Sequence, residues 1–320
     1  MSQHQPHRGD TRDIDELPTS VWLTAQQDSR TQRTGRYLPA AIAHPGKMLP
    51  AIARHAIRAY TRPGDVVLDP MCGIGTTLVE AAHLGRHGVG IELEPRWAVL
   101  ARANLQHAHT QGAEGAGTVY RGDARDADRI VNPELHGTAR LLLTSPPYGP
   151  STHGHVRSSR DSGNPGVAKF HTDYGHTAGN LADAPTDELV DAFTEILRSS
   201  LPLLADDAIV AVTARPWRRR GELVDLPAAV LAAGRAAGLV PLERCVALLA
   251  AVRDGDLVAR PSFFQQNNVR AARTNGVPLA CIAHEDVLVM AVSTDGSHER
   301  ARCSEAPHTP FAERCLRASR

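Results

Sequence analysis

The sequence predicts an α/β fold, a doubly wound and mainly parallel sheet of seven strands. Strand-like and helix-like segments alternate along the chain at the spacing of βαβ units. Glycines sit between the first of these strands and its following helix, where open α/β sheets hold ligands. Hydrophobic residues make up 42% of the 320 positions and aromatics only 4%, so the core is aliphatic. Lys+Arg and Asp+Glu are both 35. That balance excludes a polybasic binder whose affinity rests on bulk phosphate neutralisation.

The elements follow in order. Pro50–Tyr60 has apolar residues at helical spacing, and Pro63-Gly64-Asp65 punctuates it. Val66–Asp69 is a β-branched run, then comes a Gly-rich turn and the helical stretch Thr77–Leu84. Gly88–Glu92 reads as a strand, Arg96–His107 as a helix, Thr118–Gly122 and Leu141–Thr144 as further strands. Residues 149–185, rich in Gly, Ser and His, read as a long mobile loop. Thr186–Leu204 is expected to be a helix with a Thr or Asp N-cap. Ala208–Thr213, Pro241–Leu249 and Val287–Val292 complete the strands, with helix Pro227–Ala237 among them. Each crossover carries a helix, so the order is mainly parallel.

Residues 1–20 are polar and read as a disordered leader, residues 295–320 as a polar tail. The N-terminus has no apolar signal region, and the longest apolar runs, such as Cys245–Val252, are too short for a bilayer. A cytoplasmic protein is expected. Five cysteines without a C-x-x-C pair make neither a disulfide framework nor a zinc site. His153, His155, His171 and His176 lack Cys partners or a paired helical spacing, so no metal is expected.

Two motifs carry chemistry. Asp69-Pro70-Met71-Cys72-Gly73-Ile74-Gly75-Thr76-Thr77 lets the backbone approach a ligand closely, with helix N–H groups facing it. Glu92 lies 23 positions after Asp69, at a strand end where a carboxylate can accept both hydroxyls of a ribose. A tight turn needing glycine, with no ligand, accounts for the loop alone equally well. Ser145-Pro146-Pro147-Tyr148 ends another strand. Its prolines remove two backbone donors and leave rigid carbonyl acceptors, which suits a substrate amine. Acceptors at the Ser145 hydroxyl and Pro146 carbonyl can draw amine hydrogens out of plane and localise the nitrogen lone pair. Tyr148 offers a face for stacking on a base extruded from its helix.

The Asp69–Thr77 loop resembles the cofactor loop of S-adenosylmethionine-dependent amino-group methyltransferases, and His44-Pro45-Gly46-Lys47 resembles that family's other cofactor element. Together with Ser145–Tyr148, the chain resembles DNA amino-methyltransferases of the cytosine-N4 and adenine-N6 type from about His44 to Val292. The resemblance implies a Rossmann-like methyltransferase domain over residues 21–294, with S-adenosylmethionine as cofactor. It implies that Asp69, Gly73 and Gly75 surround the methionine moiety, Glu92 holds the ribose and Asp123 meets the adenine amino group. Lys47, Cys72 and Thr76 complete the implied cofactor set. The serine before Pro-Pro-Tyr implies cytosine N4 in double-stranded DNA, with adenine N6 the alternative and a cognate restriction endonuclease a possible companion.

No recognition domain of familiar size follows the catalytic motif. Arg157, Arg160 and Lys169 in the 149–185 loop, and Arg218 and Arg219 in Arg215-Pro216-Trp217-Arg218-Arg219-Arg220, are therefore the expected nucleic-acid contacts. Pro261–Arg270 combines amides, aromatics and Arg270, and reads as either a base-contacting segment or a capped turn. Tyr148-Gly149 also fits tRNA guanine-N2 methyltransferases, although about 40 residues before His44 are fewer than their RNA-binding domain needs. A protein-glutamine methyltransferase is a third expectation, and a non-catalytic nucleic-acid-binding subunit a fourth.

Overall fold

The computed structural model describes residues 18–147, 155–158, 167–170, 174–175, 177–182, 184–219, 222–261 and 263–293. The leading described segment forms a two-residue strand, β1 (Val21–Trp22), and a short helix, α1 (Ser29–Arg33), capped by the Asp28 carboxylate on the Thr31 amide. Next comes α2 (Pro50–Tyr60), followed by β2 (Val66–Asp69) and α3 (Thr76–His83). Then follow β3 (His87–Glu92), α4 (Pro95–Thr110), β4 (Gly117–Arg121), the short α5 (Ala127–Ile130) and β5 (Ala139–Thr144). β6 (His155–Ser158) and β7 (Val167–Phe170) pair as an antiparallel hairpin. After them come α6 (Thr186–Ser200) and the long β8 (Leu204–Ala214). A second hairpin, β9 (Trp217–Arg219) with β10 (Glu222–Val224), precedes α7 (Leu226–Ala237). The chain closes with β11 (Leu239–Leu248), the hairpin β12 (Ala250–Arg253) and β13 (Asp256–Ala259), α8 (Phe263–Thr274) and β14 (His284–Val292).

The main sheet has the order β1-β11-β14-β8-β5-β2-β3-β4. β2, β3, β4, β5 and β8 pair in parallel, and β14 runs antiparallel between β8 and β11. The seven expected strands are all present. An eighth, β1, lies parallel to β11 at one edge, with Trp22 opposite Ala247. The strand order reverses between β2 and β5, where chains leave towards opposite faces, and that switch point opens the crevice that holds the site.

Alternation along the strands builds two core layers. Leu141 and Leu143 of β5 pack with Ile52, Ala53 and Ile57 of α2. Leu142 points the other way, to Leu189, Phe193 and Leu197 of α6 and Val230 of α7. Those three α6 residues, spaced four apart, are essentially solvent-free. Each contributes about 1.5–3 kcal/mol by leaving water.

Three local expectations differ from the structure. Pro185 stands at the α6 N-cap with no side-chain cap bond, where Thr or Asp was expected. Within residues 149–185, expected as one loop, β6 and β7 form their hairpin. Pro261–Arg270 runs into helix α8, because its amides and Val269, Ala271 and Ala272 continue a helical register past the turn.

Candidate active site

The site begins with backbone geometry at the β2–α3 turn. Gly73 has φ 54° and Gly75 φ 81°, the left-handed region that favours glycine. A Cβ on Gly73 would come within 3.0 Å of His44 Nε2, so glycine is what lets the His44 segment close over this loop. Gly75 differs from expectation in its surroundings. It faces α4, where a Cβ would meet Ala101 at 3.2 Å, and it does not line the cavity. Its role in the structure is to seat α3 against α4.

Asp69 ends β2, buried. Its carboxylate accepts from Thr77 Oγ1 at 2.7 Å, from Thr144 Oγ1 at 2.8 Å and from the Met71 amide at 3.1 Å. Burial raises its pKa to about 6 despite those three donors. Thr144 is the last residue of β5, immediately before Ser145, so the Asp69–Thr144 bond ties the glycine loop to the Ser-Pro-Pro segment. Thr144 had no motif to announce it.

Glu92 ends β3. Its Oε2 accepts from the Gly73 amide at 2.8 Å and its Oε1 from the Glu94 amide at 2.8 Å. Burial drives its pKa up to about 7. Asp123, after β4, caps the next turn through the Arg125 amide and pairs with the Arg125 guanidinium at 2.5 Å. Those bonds hold its carboxyl below the usual range, against the opposing effect of burial.

A single cavity joins these groups. Asp69, Gly73, Thr76, Glu92 and Asp123 line it, and so does Cys72, whose sulfur packs back towards Gly90. The His44–Met48 segment covers one side. Lys47 lines that side, but its ammonium donates to the carbonyls of Ile42 and His44, and burial lowers its pKa to about 8. The His44 ring meets Trp97 and Tyr174 edge-on, at 4.7 and 5.3 Å between centroids. Burial lowers its pKa to about 3, so it is neutral.

The opposite side is a strap that includes Tyr174, Gly175 and residues 177–181. Glu94 accepts from the Thr177 amide at 3.0 Å, the Thr177 hydroxyl at 2.8 Å and Asn180 Nδ2 at 2.8 Å. Trp97 Nε1 donates to the Tyr174 carbonyl at 2.6 Å. Glu94, Trp97 and the strap carried no sequence signal, since their partners lie about 80 positions away.

Ser145, Pro146 and Pro147 line the far end of the same cavity, together with Ile196 of α6 and Glu285 of β14. Tyr148 and Arg160 lie outside the described residues. Arg157 and Lys169 sit on β6 and β7, and Arg218 and Arg219 on β9. Only backbone is described at those four positions. β9 follows β8, hence at the same sheet edge as Ser145. Among the described residues no cluster of three His, Cys, Asp or Glu is placed to hold a metal, and no helix is long and apolar enough to cross a membrane.

A tRNA (guanine(10)-N2)-dimethyltransferase of Methanocaldococcus jannaschii is 36% identical over 110 residues, 34% of this chain and 31% of that protein. Its namesake from Methanothermobacter thermautotrophicus is 37% identical over 107 residues, covering 33% of this chain and 29% of that protein. The type II methyltransferase M.MjaII, also of M. jannaschii, is 34% identical over 65 residues, 20% of this chain and 12% of that protein. The chain thus spans less than a third of the length of these relatives. Among solved structures, TrmN from Thermus thermophilus aligns over 83% of this chain and 53% of its own, at 19% identity and a TM-score of 0.44. Residues 2–102 match the family described as DNA methylase, of the N6/N4 methyltransferase type. That matched segment contains the Asp69–Thr77 loop and Glu92, and over it the chain is similar to the N6/N4 amino-methyltransferase family.

Proposed function

We propose that the chain transfers a methyl group from S-adenosylmethionine to the exocyclic amino group of a nucleic-acid base. One observation carries this reading: a single cavity runs from the Asp69–Gly73–Glu92–Asp123 end to Ser145-Pro146-Pro147, and the Thr144–Asp69 bond couples the two ends. The donor and acceptor set fits the cofactor. Three carboxylates along the β2, β3 and β4 ends suit an ammonium, a ribose diol and an adenine amino group. Gly73 lines the cavity, and its missing Cβ leaves room for the His44 ring that closes over the loop.

When bound, the cofactor supplies an activated methyl group. The chain's own residues supply position and dipoles. Glu92 is held by two backbone amides in one orientation, which fixes where its remaining lone pairs point. Asp69, Gly73 and Thr76 shape the loop around the methionine end, and Asp123 borders the adenine end. Ser145 and the Pro146 carbonyl accept the amine hydrogens. The strap held by Glu94 keeps water from the cofactor end.

For the base, Ser145 supports cytosine N4 in double-stranded DNA, with a flipped target, stacking on Tyr148, and phosphate contacts from Arg157, Arg160, Lys169, Arg218 and Arg219. A cytoplasmic location and a companion endonuclease belong to that reading. A second reading, guanine N2 in tRNA, draws support from the M. jannaschii and M. thermautotrophicus relatives. Incubation with tritiated S-adenosylmethionine and separate pools of unmethylated duplex DNA and total tRNA tests both, with labelled nucleosides identified by mass. N4-methylcytosine in DNA supports the first and N2-methylguanosine in tRNA the second. No label in either pool, with or without bound cofactor, sinks the amino-methylation reading.

A further inference from the structure

We propose that Glu285 is the proton acceptor of the transfer, a catalytic residue at the substrate end of the cavity. The inference rests on the amino-methylation reading above. The amine nitrogen uses its lone pair to form the new bond to the methyl carbon, and the carbon–sulfur bond pair stays on sulfur as a thioether. The nitrogen is left with one hydrogen too many and a positive charge, so an N–H proton must leave. Ser145 and the Pro146 carbonyl can accept hydrogen bonds, but neither holds a proton near neutral pH. The chemistry calls for a carboxylate beside them.

Five carboxylates line the cavity: Asp69, Glu92, Glu94, Asp123 and Glu285. The first four stand on the β2, β3 and β4 side, and their oxygens hold that side together. Asp69 takes Thr77, Thr144 and Met71; Glu92 takes Gly73 and Glu94; Glu94 takes the strap; Asp123 takes Arg125. Glu285 is on the other side of Ser145 in the sheet order, on β14 beyond β8. β14 runs antiparallel to β8, with Asp286 opposite Ala214, so its first residues lie at the edge where β5 delivers Ser145. On β14, Glu285 shares its face with Val287 and Val289, which pack with Leu141 and Leu143 of β5. It is 9% exposed. A carboxylate on that otherwise aliphatic face costs stability by burial, and its placement at the Ser-Pro-Pro end gives it a chemical use. Proton transfer then runs from the methylated nitrogen to a Glu285 oxygen, and from there to solvent after product leaves.

The test uses the full chain with whichever pool the wild type labels. Glu285→Gln keeps the size and shape of the side chain but cannot take the proton. It is expected to lower kcat about 100-fold, within the usual span for a positioned acid or base. The nucleic-acid KM and the calorimetric affinity for S-adenosylmethionine are expected to stay within about twofold, marking the effect as chemistry. Glu285→Asp should recover part of the rate. Glu285→Ala should regain turnover when sodium formate is added, because formate supplies the missing carboxylate. Wild-type turnover by Glu285→Gln overturns the proposal, and so does a kcat loss that neither formate nor Glu285→Asp reverses. Absence of any label from the wild type sinks the amino-methylation reading and this role with it.

Discussion

Glu92 offers the sharpest perturbation, Glu92→Gln. In the unfolded chain its carboxyl titrates near 4.5, and in the folded protein burial raises it to about 7. The folded state therefore binds the proton more tightly between those values, and stability falls as pH rises through that window. The Glu92 contribution is fully present below pH 4.5 and lost above pH 7. At 1.36 kcal/mol per unit, the rise is worth about 3 kcal/mol. Replacement by Gln removes the titration, but it leaves one of the Gly73 and Glu94 amides without an acceptor, at about 1–3 kcal/mol at every pH. Above pH 7 the two effects nearly cancel, whereas below pH 4.5 the Gln variant is the less stable, so the informative quantity is how their difference changes with pH. Urea unfolding of the ligand-free protein at several pH values between 4.5 and 8 measures it. The Gln variant should gain about 3 kcal/mol on the wild type across that range. Parallel pH curves for the two proteins would refute the argument that burial of Glu92 sets its affinity for the proton.

Three further outcomes are expected. Glu80 is fully buried on α3 and takes Arg36 at 2.6 and 2.7 Å, Tyr37 at 2.8 Å and Arg54 at 3.1 Å. Glu80→Ala leaves the buried Tyr37 hydroxyl unmatched and frees two partly exposed guanidiniums, and should cost about 1–3 kcal/mol in chemical denaturation. Glu94→Ala removes three bonds to the strap, so the Thr177 amide should exchange hydrogen faster and S-adenosylmethionine affinity should drop about tenfold in calorimetry, the worth of one such bond. Gly73→Ala places a Cβ 3.0 Å from His44 Nε2 at a φ of 54°, and should cost about 1–2 kcal/mol of stability, read as a lower urea midpoint.

The strands of the main sheet were legible because each is a short β-branched or aliphatic run set between helices, as in Val66–Asp69 and Val287–Val292. The glycine loop was legible because a strand-to-helix turn with φ above zero has a narrow set of acceptable residues. β1 was not, since two residues carry no period and its place is set by Val246 and Ala247, more than 200 positions on. The strap was hidden for the same reason: Glu94 and Trp97 sit in an ordinary helix start, and only folding brings Tyr174, Thr177 and Asn180 to them. α8 was missed because Asn267 and Asn268 are weak helix formers, and the neighbouring Gln, Ala and Arg residues outweigh them. Glu285 has no spacing relation to Ser145, so a sequence pattern cannot pair them.

Residues 21–48 connect places that the sheet keeps far apart. Trp22 joins the layer under β11 and β14, Tyr37 and Ala41 join Trp97 and Ala108 on the α4 side, and Arg33 reaches the Met48 carbonyl at 2.5 Å. The segment works as a belt passed across one face and buckled at Glu80, and its last residues before α2 form a wall of the cavity. A fragment cut to start at β2 would keep the Asp69–Thr77 and Ser145–Pro147 segments yet lack one side of its site, and grafting this site onto another sheet would require moving the belt with it.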